Sequence, residues 1–228
     1  MKAIILAGGQ GTRLKPLTDN IPKALIPIGD STLIELILTS LPSIIDTVII
    51  TTKYLPEKIK QHIGTKHHGK TILYAAQPED SKGTWAALYC TREYIDTAEQ
   101  FLVLNCDDLF EQEELERVVA THTIGMGVTH RTMPAKYHGI SISSEGFVQG
   151  LQRHPNPDRE ELLEDTFANG LYLLDARVFG FPAVLQIDNE EGLPQTLLKQ
   201  INEYPLKAHY IEHWNPCNSF EDLARITK

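Results

Sequence analysis

The 228-residue sequence has few cysteines, no long apolar run and a shortage of positive charge. Its three cysteines are an odd number without metal-site spacing, so we expect reduced thiols, no disulfide framework and a cytoplasmic protein. Every apolar run ends before it reaches the length of a signal-peptide core or a membrane span. The 30 acidic and 21 basic residues give a formal net charge of -9, which argues against a nucleic-acid-binding face. We therefore expect neither a membrane nor a nucleic acid as partner.

The chain also lacks internal repeats, low-complexity segments and a linker rich in Gly, Ser and Pro. With 42% hydrophobic residues it can bury one sizeable core, and we expect 1–228 to form a single domain. The first half, 1–121, alternates apolar runs with amphipathic stretches, as in a parallel sheet covered by helices. The second half, 122–228, holds more extended segments and is expected to fold over the edge of the first.

Local patterns predict most of the individual elements. Thr32-x-x-Glu35 has the spacing of a capping box and predicts a helix that stops at Pro42. Apolar runs and periodicity predict strands over 47–52, 71–75, 101–104, 124–131, 139–142, 147–151 and 171–174, and helices over 56–63, 84–95 and 194–202. The acidic run 111–116 is interpreted as a solvated helix face.

The most informative segment reads LAGGQGTRLKPLTDNIPKALIPI and begins at Leu6. Its three glycines directly follow an apolar run: Gly8, Gly9 and Gly11. A buried strand is therefore expected to end in a loop whose backbone amides can approach a polyanion closely. Arg13 and Lys23 follow, and they offer a forked donor and a compact point charge. We predict a phosphate-binding backbone loop with cations placed at both ends.

The whole string resembles the signature of the sugar-1-phosphate nucleotidyltransferases: Gly-x-Gly-Thr-Arg-x-x-Pro after a strand, then five residues, then Pro-Lys. That family joins a nucleoside triphosphate to a sugar 1-phosphate and releases pyrophosphate. The resemblance implies an α/β, Rossmann-like fold, with a mixed, mainly parallel sheet flanked by helices and a smaller β subregion on the sugar side. It implies catalytic roles for Arg13 and Lys23. It also implies nucleotide contacts from Leu6, Ala7, Gly8, Gly9, Gly11 and Thr12.

Hard oxygen ligands follow the apolar strand 101–104, at the rim where the glycine loop is also expected. Of the pair Asp107 and Asp108, the resemblance implies that Asp107 binds Mg²⁺, although Cys106 stands where the family usually has glycine. It implies Asn218 as the second metal ligand. Local alternatives remain: either aspartate as a helix cap or loop acid, and Asn218 as the N-cap of the last helix or as a partner to Ser219 in that role.

A base-reading segment is indicated by Gln77-Pro78, followed by Lys82-Gly83-Thr84 at a predicted helix start. It resembles the corresponding segment of the family, which makes Gln77 and Gly83 candidate nucleotide contacts. A glutamine amide offers both a donor and an acceptor, which suits the edge of uracil or thymine. This favours UTP or dTTP, while a simple turn residue is the alternative for Gln77.

The sugar-side elements resemble the family more loosely. Tyr137-His138-Gly139-Ile140 resembles a Tyr-Gly-Val element whose glycine lies against the sugar ring. Asn169-Gly170-Leu171-Tyr172 resembles an Asn-x-Gly-Ile-Tyr element, but its Asn is one position closer to the glycine. The family commonly has Glu-Lys-Pro between them, where this chain has Gln152-Arg153-His154-Pro155. The resemblance therefore implies a sugar-binding set in which Gly139 and Asn169 contact the sugar, and Arg153 or His154 holds its phosphate.

The resemblance predicts a uridylyl- or thymidylyltransferase that uses Mg²⁺ and takes a nucleoside triphosphate and a sugar 1-phosphate as partners. Gln152 stands where the family commonly has the Glu of Glu-Lys-Pro. The absence of this acid indicates an unusual acceptor, an altered sugar pose or absent activity. Two alternatives stay open: a cytidylyltransferase for a non-sugar phosphate such as phosphocholine, and a non-catalytic nucleotide-sugar sensor. The sequence ends at Lys228 without the left-handed β-helix of bifunctional relatives, so we expect no acyltransferase activity. Homo-oligomerisation is left open.

Overall fold

The computed structural model describes residues 1–134, 139–152, 162–186 and 189–226. Its strands in chain order are β1 (Lys2–Leu6), β2 (Pro27–Ile28), β3 (Ser31–Thr32), β4 (Thr47–Thr52), β5 (Lys66–His67), β6 (Lys70–Ala76), β7 (Gln100–Asn105), β8 (Asp108–Phe110), β9 (Gly125–Pro134), β10 (Gly139–Ile142), β11 (Val148–Gln152), β12 (Leu162–Asp175), β13 (Lys207–Tyr210) and β14 (Trp214–Pro216). The α-helices of the described residues are α1 (Leu33–Ser40), α2 (Pro56–Ile63), α3 (Thr84–Tyr89), α4 (Gln112–Ala120), α5 (Leu193–Lys199) and α6 (Phe220–Ile226). None of these helices is long and apolar enough to cross a membrane.

Eight strands form one mixed sheet in the order β13-β9-β12-β7-β1-β4-β6-β5. Six of them run in one direction, and β12 and β5 run antiparallel to their neighbours. This is the predicted mainly parallel α/β sheet flanked by helices. The second half of the chain does more than fold over an edge, since β12 pairs directly with β7 and extends the sheet. Short ribbons pair β2 with β3, β8 with β14 and β10 with β11.

Helices cover both faces of the sheet. Successive side chains of the buried central strand β1 point to opposite sides, so each face presents apolar side chains for helices to pack on. Ile5 packs in one core with α1, α2 and α4. Ile4 packs in the other with α3 and α5. Helices on both faces leave the carboxyl ends of the parallel strands as the exposed rim.

Several predicted bounds are confirmed, and two helices end earlier than predicted. The helix predicted over 194–202 runs from Leu193 to Lys199. The Thr32 backbone N–H donates to the Glu35 carboxylate at 2.7 Å, and α1 ends before Pro42. The strand over 47–52 and the helix over 56–63 have the predicted bounds. The helix predicted over 84–95 ends at Tyr89, because the Thr91 hydroxyl donates to the Leu88 carbonyl at 2.7 Å and competes for a helical acceptor.

The interpretation of the acidic run 111–116 as solvated is wrong at Glu114, which lies buried on α4. Its carboxylate accepts hydrogen bonds from the backbone N–H groups of Glu212, at 2.7 Å, and His213, at 3.3 Å. Arg117 donates to the same carboxylate. Helix α4 therefore anchors the segment that joins β13 to β14.

Replacing Glu114 with alanine should lower the free energy of unfolding by roughly 2 kcal/mol, because two backbone N–H groups lose their acceptor. Burial alone would raise the pKa of this carboxyl, but hydrogen bonds from the backbone and from Arg117 lower it below its ordinary value. A lowered folded pKa means that the stabilisation is present at neutral pH and is lost as the pH falls below the ordinary range of a glutamate pKa.

Denaturant unfolding of the two proteins should therefore show a stability gap that narrows in acid. The exposed Glu113→Gln variant on the same helix is the control and should match the unaltered protein. A difference in unfolding free energy that stays constant from neutral pH into acid would contradict the stabilisation by the ionised Glu114 carboxylate.

Candidate functional site

A cavity of about 940 Å³ lies at the carboxyl ends of β1, β4, β6 and β7. This is the rim at which open α/β sheets commonly bind ligands. Most of the predicted site residues line the cavity, namely Leu6, Gly8, Gly9, Gly11, Thr12, Arg13, Lys23, Gln77, Gly83, Asp107 and Asn218. Ala7 is buried beneath the loop instead, with its backbone N–H 3.2 Å from the Thr51 hydroxyl oxygen.

Two glycines let the loop after β1 pack closely against its neighbours. Gly11 has a left-handed φ of 68°, and a Cβ there would lie 3.0 Å from the Lys23 Cβ. A Cβ at Gly8 would lie 2.6 Å from the Gln77 Oε1 atom. Gly11 therefore lets the loop approach the Lys23 side chain, and Gly8 lets it approach the Gln77 amide, which is predicted to read the base.

The predicted catalytic cations and metal ligands form one cluster. The Lys23 ammonium lies 2.5 Å from Asp107 Oδ2 and donates to Asn218 Oδ1 at 3.1 Å. Arg13 donates to the same Asn218 oxygen at 2.8 Å. The Lys23 side chain is only 7% exposed and that of Asp107 22% exposed. Four side chains from three distant parts of the sequence therefore meet at the rim of the cavity.

The Asp107 and Asn218 oxygens suit a magnesium ion, because both converge on a single positive group. Magnesium commonly takes one or two protein oxygens and completes its shell with water and substrate phosphates. Among the described residues, no set of three or more His, Cys, Asp or Glu side chains is arranged to hold a metal ion. An ion at this cluster would therefore depend on substrate and water for the remaining ligands.

Asn218 is not the side-chain cap of the last helix, so that alternative is wrong. Helix α6 begins at Phe220, and the Ser219 hydroxyl accepts from the Asp222 backbone N–H at 3.2 Å. The Asp222 carboxylate in turn accepts from the N–H groups of Asn218 and Ser219, both at 2.9 Å. This reciprocal capping leaves the Asn218 amide directed at the cation cluster.

The neighbouring Asp108 has a different environment and is neither a helix cap nor a loop acid. It begins β8, is buried, and accepts hydrogen bonds from Trp214 Nε1 at 2.7 Å and from Asn105 Nδ2 at 3.0 Å. A Cβ at Gly170 would lie 2.3 Å from its Oδ2, so only glycine permits this approach. Burial, with a smaller contribution from the Asp107 charge, raises the pKa of Asp108 to about 8.

The indole of Trp214 should report this ionisation directly. In a Trp85→Phe background Trp214 is the sole tryptophan, and its fluorescence should titrate with a midpoint of about 8. Because the folded pKa is raised, the stability that Asp108 contributes in acid is lost as the pH rises through this midpoint. The same titration in Asp108→Asn should be flat, and a midpoint near the ordinary aspartate value would contradict the raised pKa.

Cys106, which replaces the glycine usual in the family, introduces no charge beside the predicted metal ligands. It is buried, and burial raises the pKa of its thiol to about 12. The thiol is therefore protonated at neutral pH and packs as a small apolar side chain. The substitution leaves Asp107 at the rim.

The predicted base-reading residues lie together on one wall of the cavity. Gln77 follows β6 and is buried, and its Nε2 lies 3.5 Å from the Ser81 carbonyl oxygen. Gly83 has a φ of 97°, and a Cβ there would lie 2.2 Å from the Glu191 carbonyl oxygen. Glycine at this position therefore lets the segment before α5 close against the start of α3.

The sugar-side residues are not brought to the described lining of this cavity. Gly139 lies in β10 against the Asp165 carboxylate. Asn169 is buried in β12 and donates to the Thr129 hydroxyl at 3.0 Å. Its one-residue offset explains this placement, because a shift of one position along a strand turns a side chain to the other face. The sugar-binding roles of both residues stay predictions.

Arg153 and His154 lie outside the described residues. Sequence reasoning also missed residues that line the cavity, including Lys53, Tyr54, Asn105 and Gln186. Lys53 and Tyr54 could have been found as polar residues at the carboxyl end of a predicted strand. Gln186 does not follow a predicted strand of the first half, so no sequence pattern marks it. It lines the cavity because the segment before α5 packs on Gly83.

The fold and the cluster together define a class: an α/β protein with a glycine loop, two cations and oxygen ligands on one rim, suited to a nucleotide polyphosphate. The model of the nucleotidyl transferase family matches residues 2–213. The chain therefore belongs to the nucleotidyl transferase family.

Sequence relatives agree with this membership, and solved structures agree with the fold. The bifunctional protein GlmU of Methanocaldococcus jannaschii is 29% identical over 231 residues, which cover 100% of this chain and 54% of that protein. A structure of UDP-glucose pyrophosphorylase complexed with UDP-glucose has a TM-score of 0.84 at 20% identity, covering 99% of this chain and 96% of that one. A putative glucose-1-phosphate thymidylyltransferase from Bacillus anthracis has a TM-score of 0.80 at 19% identity, covering 100% and 94%. The chain spans about half the length of the GlmU relatives it matches.

Proposed function

We propose that this protein transfers a nucleotidyl group from a nucleoside triphosphate, with UTP or dTTP favoured, to a sugar 1-phosphate and releases pyrophosphate. The observation that carries the proposal is the convergence of Arg13, Lys23, Asp107 and Asn218 beside the glycine loop. Family membership supports the same reaction class. So do the names of the similar proteins, which include a UDP-glucose pyrophosphorylase and a putative thymidylyltransferase.

In the proposed reaction, a phosphate oxygen of the sugar 1-phosphate attacks the α-phosphorus of the nucleotide. A new bond forms between that oxygen and the α-phosphorus as the bond to the bridging oxygen of the β-phosphate breaks. Pyrophosphate leaves with the electron pair of the broken bond. Since the attacking oxygen is already anionic at neutral pH, no general base is required, and catalysis consists of positioning and charge compensation.

Each member of the cluster has a role in this scheme. Arg13 stabilises the β- and γ-phosphates, on which negative charge accumulates as pyrophosphate leaves. Lys23 binds the α-phosphate or the phosphate of the acceptor. Asp107 and Asn218 would hold Mg²⁺, which would neutralise phosphate charge when bound. The backbone amides of the glycine loop bind the phosphates of the nucleotide.

The base preference rests on the Gln77 amide, which offers a donor and an acceptor to a uracil or thymine edge. The acceptor is less defined, because position 152 carries an exposed glutamine at the end of β11 where the family commonly has an acid. We place the reaction in the cytoplasm, which agrees with three free cysteines in the chain.

The proposal predicts magnesium-dependent pyrophosphate release for one particular pair of substrates. ATP, GTP, CTP, UTP and dTTP would each be combined with hexose, amino-sugar and heptose 1-phosphates and with phosphocholine. Release that requires UTP or dTTP and one sugar 1-phosphate is the expected result. Release only with CTP and phosphocholine would instead indicate a cytidylyltransferase that acts on a non-sugar phosphate. If calorimetry detects binding of a nucleotide sugar but no pyrophosphate is released, the protein would be a non-catalytic sensor and not an enzyme.

The metal assignment predicts that Asp107→Asn raises the magnesium concentration for half-maximal activity by about tenfold or more, which is the effect expected from the loss of one charged ligand. The carboxylate supplies the only negative charge among the two proposed protein ligands, so a neutral amide in its place binds the ion more weakly. The exposed Asp30→Asn variant is the matched control. An unchanged magnesium titration in Asp107→Asn would remove this residue from the metal site.

A further inference from the structure

Lys53, the residue after β4, directs its ammonium into a protein loop although it lines a cavity suited to phosphates. Its Nζ donates to the backbone carbonyls of Glu79, at 2.8 Å, and Ser81, at 2.6 Å. Both carbonyls belong to the loop between Gln77 and Gly83 that forms the base-side wall. A lysine ammonium has three donors, so this loop engages most of its capacity.

The Ser81 carbonyl links Lys53 to the Gln77 side chain. It accepts from Lys53 and also lies 3.5 Å from Gln77 Nε2. Ser81 itself is fixed, because its N–H and its hydroxyl both donate to the Pro78 carbonyl, at 3.2 and 2.9 Å. The loop is therefore a compact turn, and the lysine holds the one acceptor toward which the Gln77 amide nitrogen points.

The other end of the Gln77 amide is fixed by the glycine loop. With Nε2 toward Ser81, the oxygen Oε1 lies against Gly8, where a Cβ would come within 2.6 Å. The same Cβ would lie 3.4 Å from the Lys53 Cβ, so the lysine stem packs on this glycine as well. Lys53 thus contacts both the loop that orients the amide and the surface beneath it.

We propose that Lys53 is a positioning residue that fixes which way the Gln77 amide faces and thereby selects the base of the bound nucleotide. This inference rests on the proposed function, since it requires a nucleotide in the cavity. Uracil and thymine present an N3–H donor beside a C4 carbonyl acceptor, whereas cytosine presents an N3 acceptor beside an amino donor. An amide held in one orientation discriminates between these edges, and an amide free to rotate can satisfy either.

The next residue provides a matched control, because it holds a different segment. The Tyr54 hydroxyl lies 3.1 Å from the Thr18 carbonyl oxygen and 2.8 Å from that of Asp19, and donates to both. These carbonyls lie in the segment that follows the glycine loop, away from Gln77. Tyr54→Phe should therefore weaken UTP and CTP binding by the same factor, since the phosphates of the two nucleotides are identical.

The test variant is Lys53→Met, which keeps the length of the side chain and removes its donors, with Lys53→Gln as a second variant. Calorimetric titration with UTP, dTTP and CTP should show the ratio of UTP to CTP affinity moving toward one by about tenfold, the effect of one positioned hydrogen bond. Lys53→Arg, which can again donate to two carbonyls, should restore most of the ratio. Without nucleotide, hydrogen exchange of the amides from Glu79 to Gly83 should be faster in Lys53→Met.

The outcomes separate the positioning role from the function on which it rests. Faster exchange with an unchanged affinity ratio would overturn the selection of the base by Lys53. Unchanged exchange would overturn the role of Lys53 in holding the loop. If the unaltered protein bound none of the three nucleotides, the proposed function would fail and base selection with it. A ratio that falls equally in Tyr54→Phe would show a general loosening of the cavity and would also overturn the inference.

Discussion

The ammonium of Lys23 joins three parts of the chain that are distant in sequence. It is nearly buried, and a charge in such a place is tolerated only when it is paired and hydrogen-bonded. Asp107 supplies the opposite charge and Asn218 a second acceptor, which Arg13 shares. The loop after β1, the turn after β7 and the start of α6 must therefore meet for this cation to be satisfied. The requirement for folding and the proposed chemistry depend on the same contacts.

Asn218 reaches this position through a series of backbone and side-chain restraints. The Cys217 N–H donates to the Asp107 carbonyl at 2.7 Å, which continues the antiparallel pairing of β8 with β14. Trp214 at the start of β14 donates to the buried Asp108. Before β14, the buried Glu114 accepts from two backbone N–H groups of the incoming segment. A carboxylate on α4, outside the cavity, therefore helps to place a proposed metal ligand.

The elements that could be predicted from the sequence are those set by local patterns. The glycine loop, α1 and the strand leading to Asp107 follow from adjacent residues, and the structure confirms them. The burial of Glu114 could not be predicted, because its partners are about a hundred residues away in the chain. The face taken by Asn169 depends on a single strand position, which a loose motif match does not fix. The family motif placed Asn218 in the cluster, but only the capping of α6 by Ser219 and Asp222 shows that its amide is free for that role.

The base-side loop and the segment after the glycine loop share one support at the end of β4. Lys53 holds the base-side loop, and Tyr54 holds the segment after the glycine loop. Leu55 then takes a left-handed conformation with φ 47° and begins the turn into α2. Consecutive residues of one short turn therefore tie both segments to the end of the same strand. In the proposed complex with a nucleotide, selectivity for the base then depends on the direction in which the base-side loop holds its polar groups.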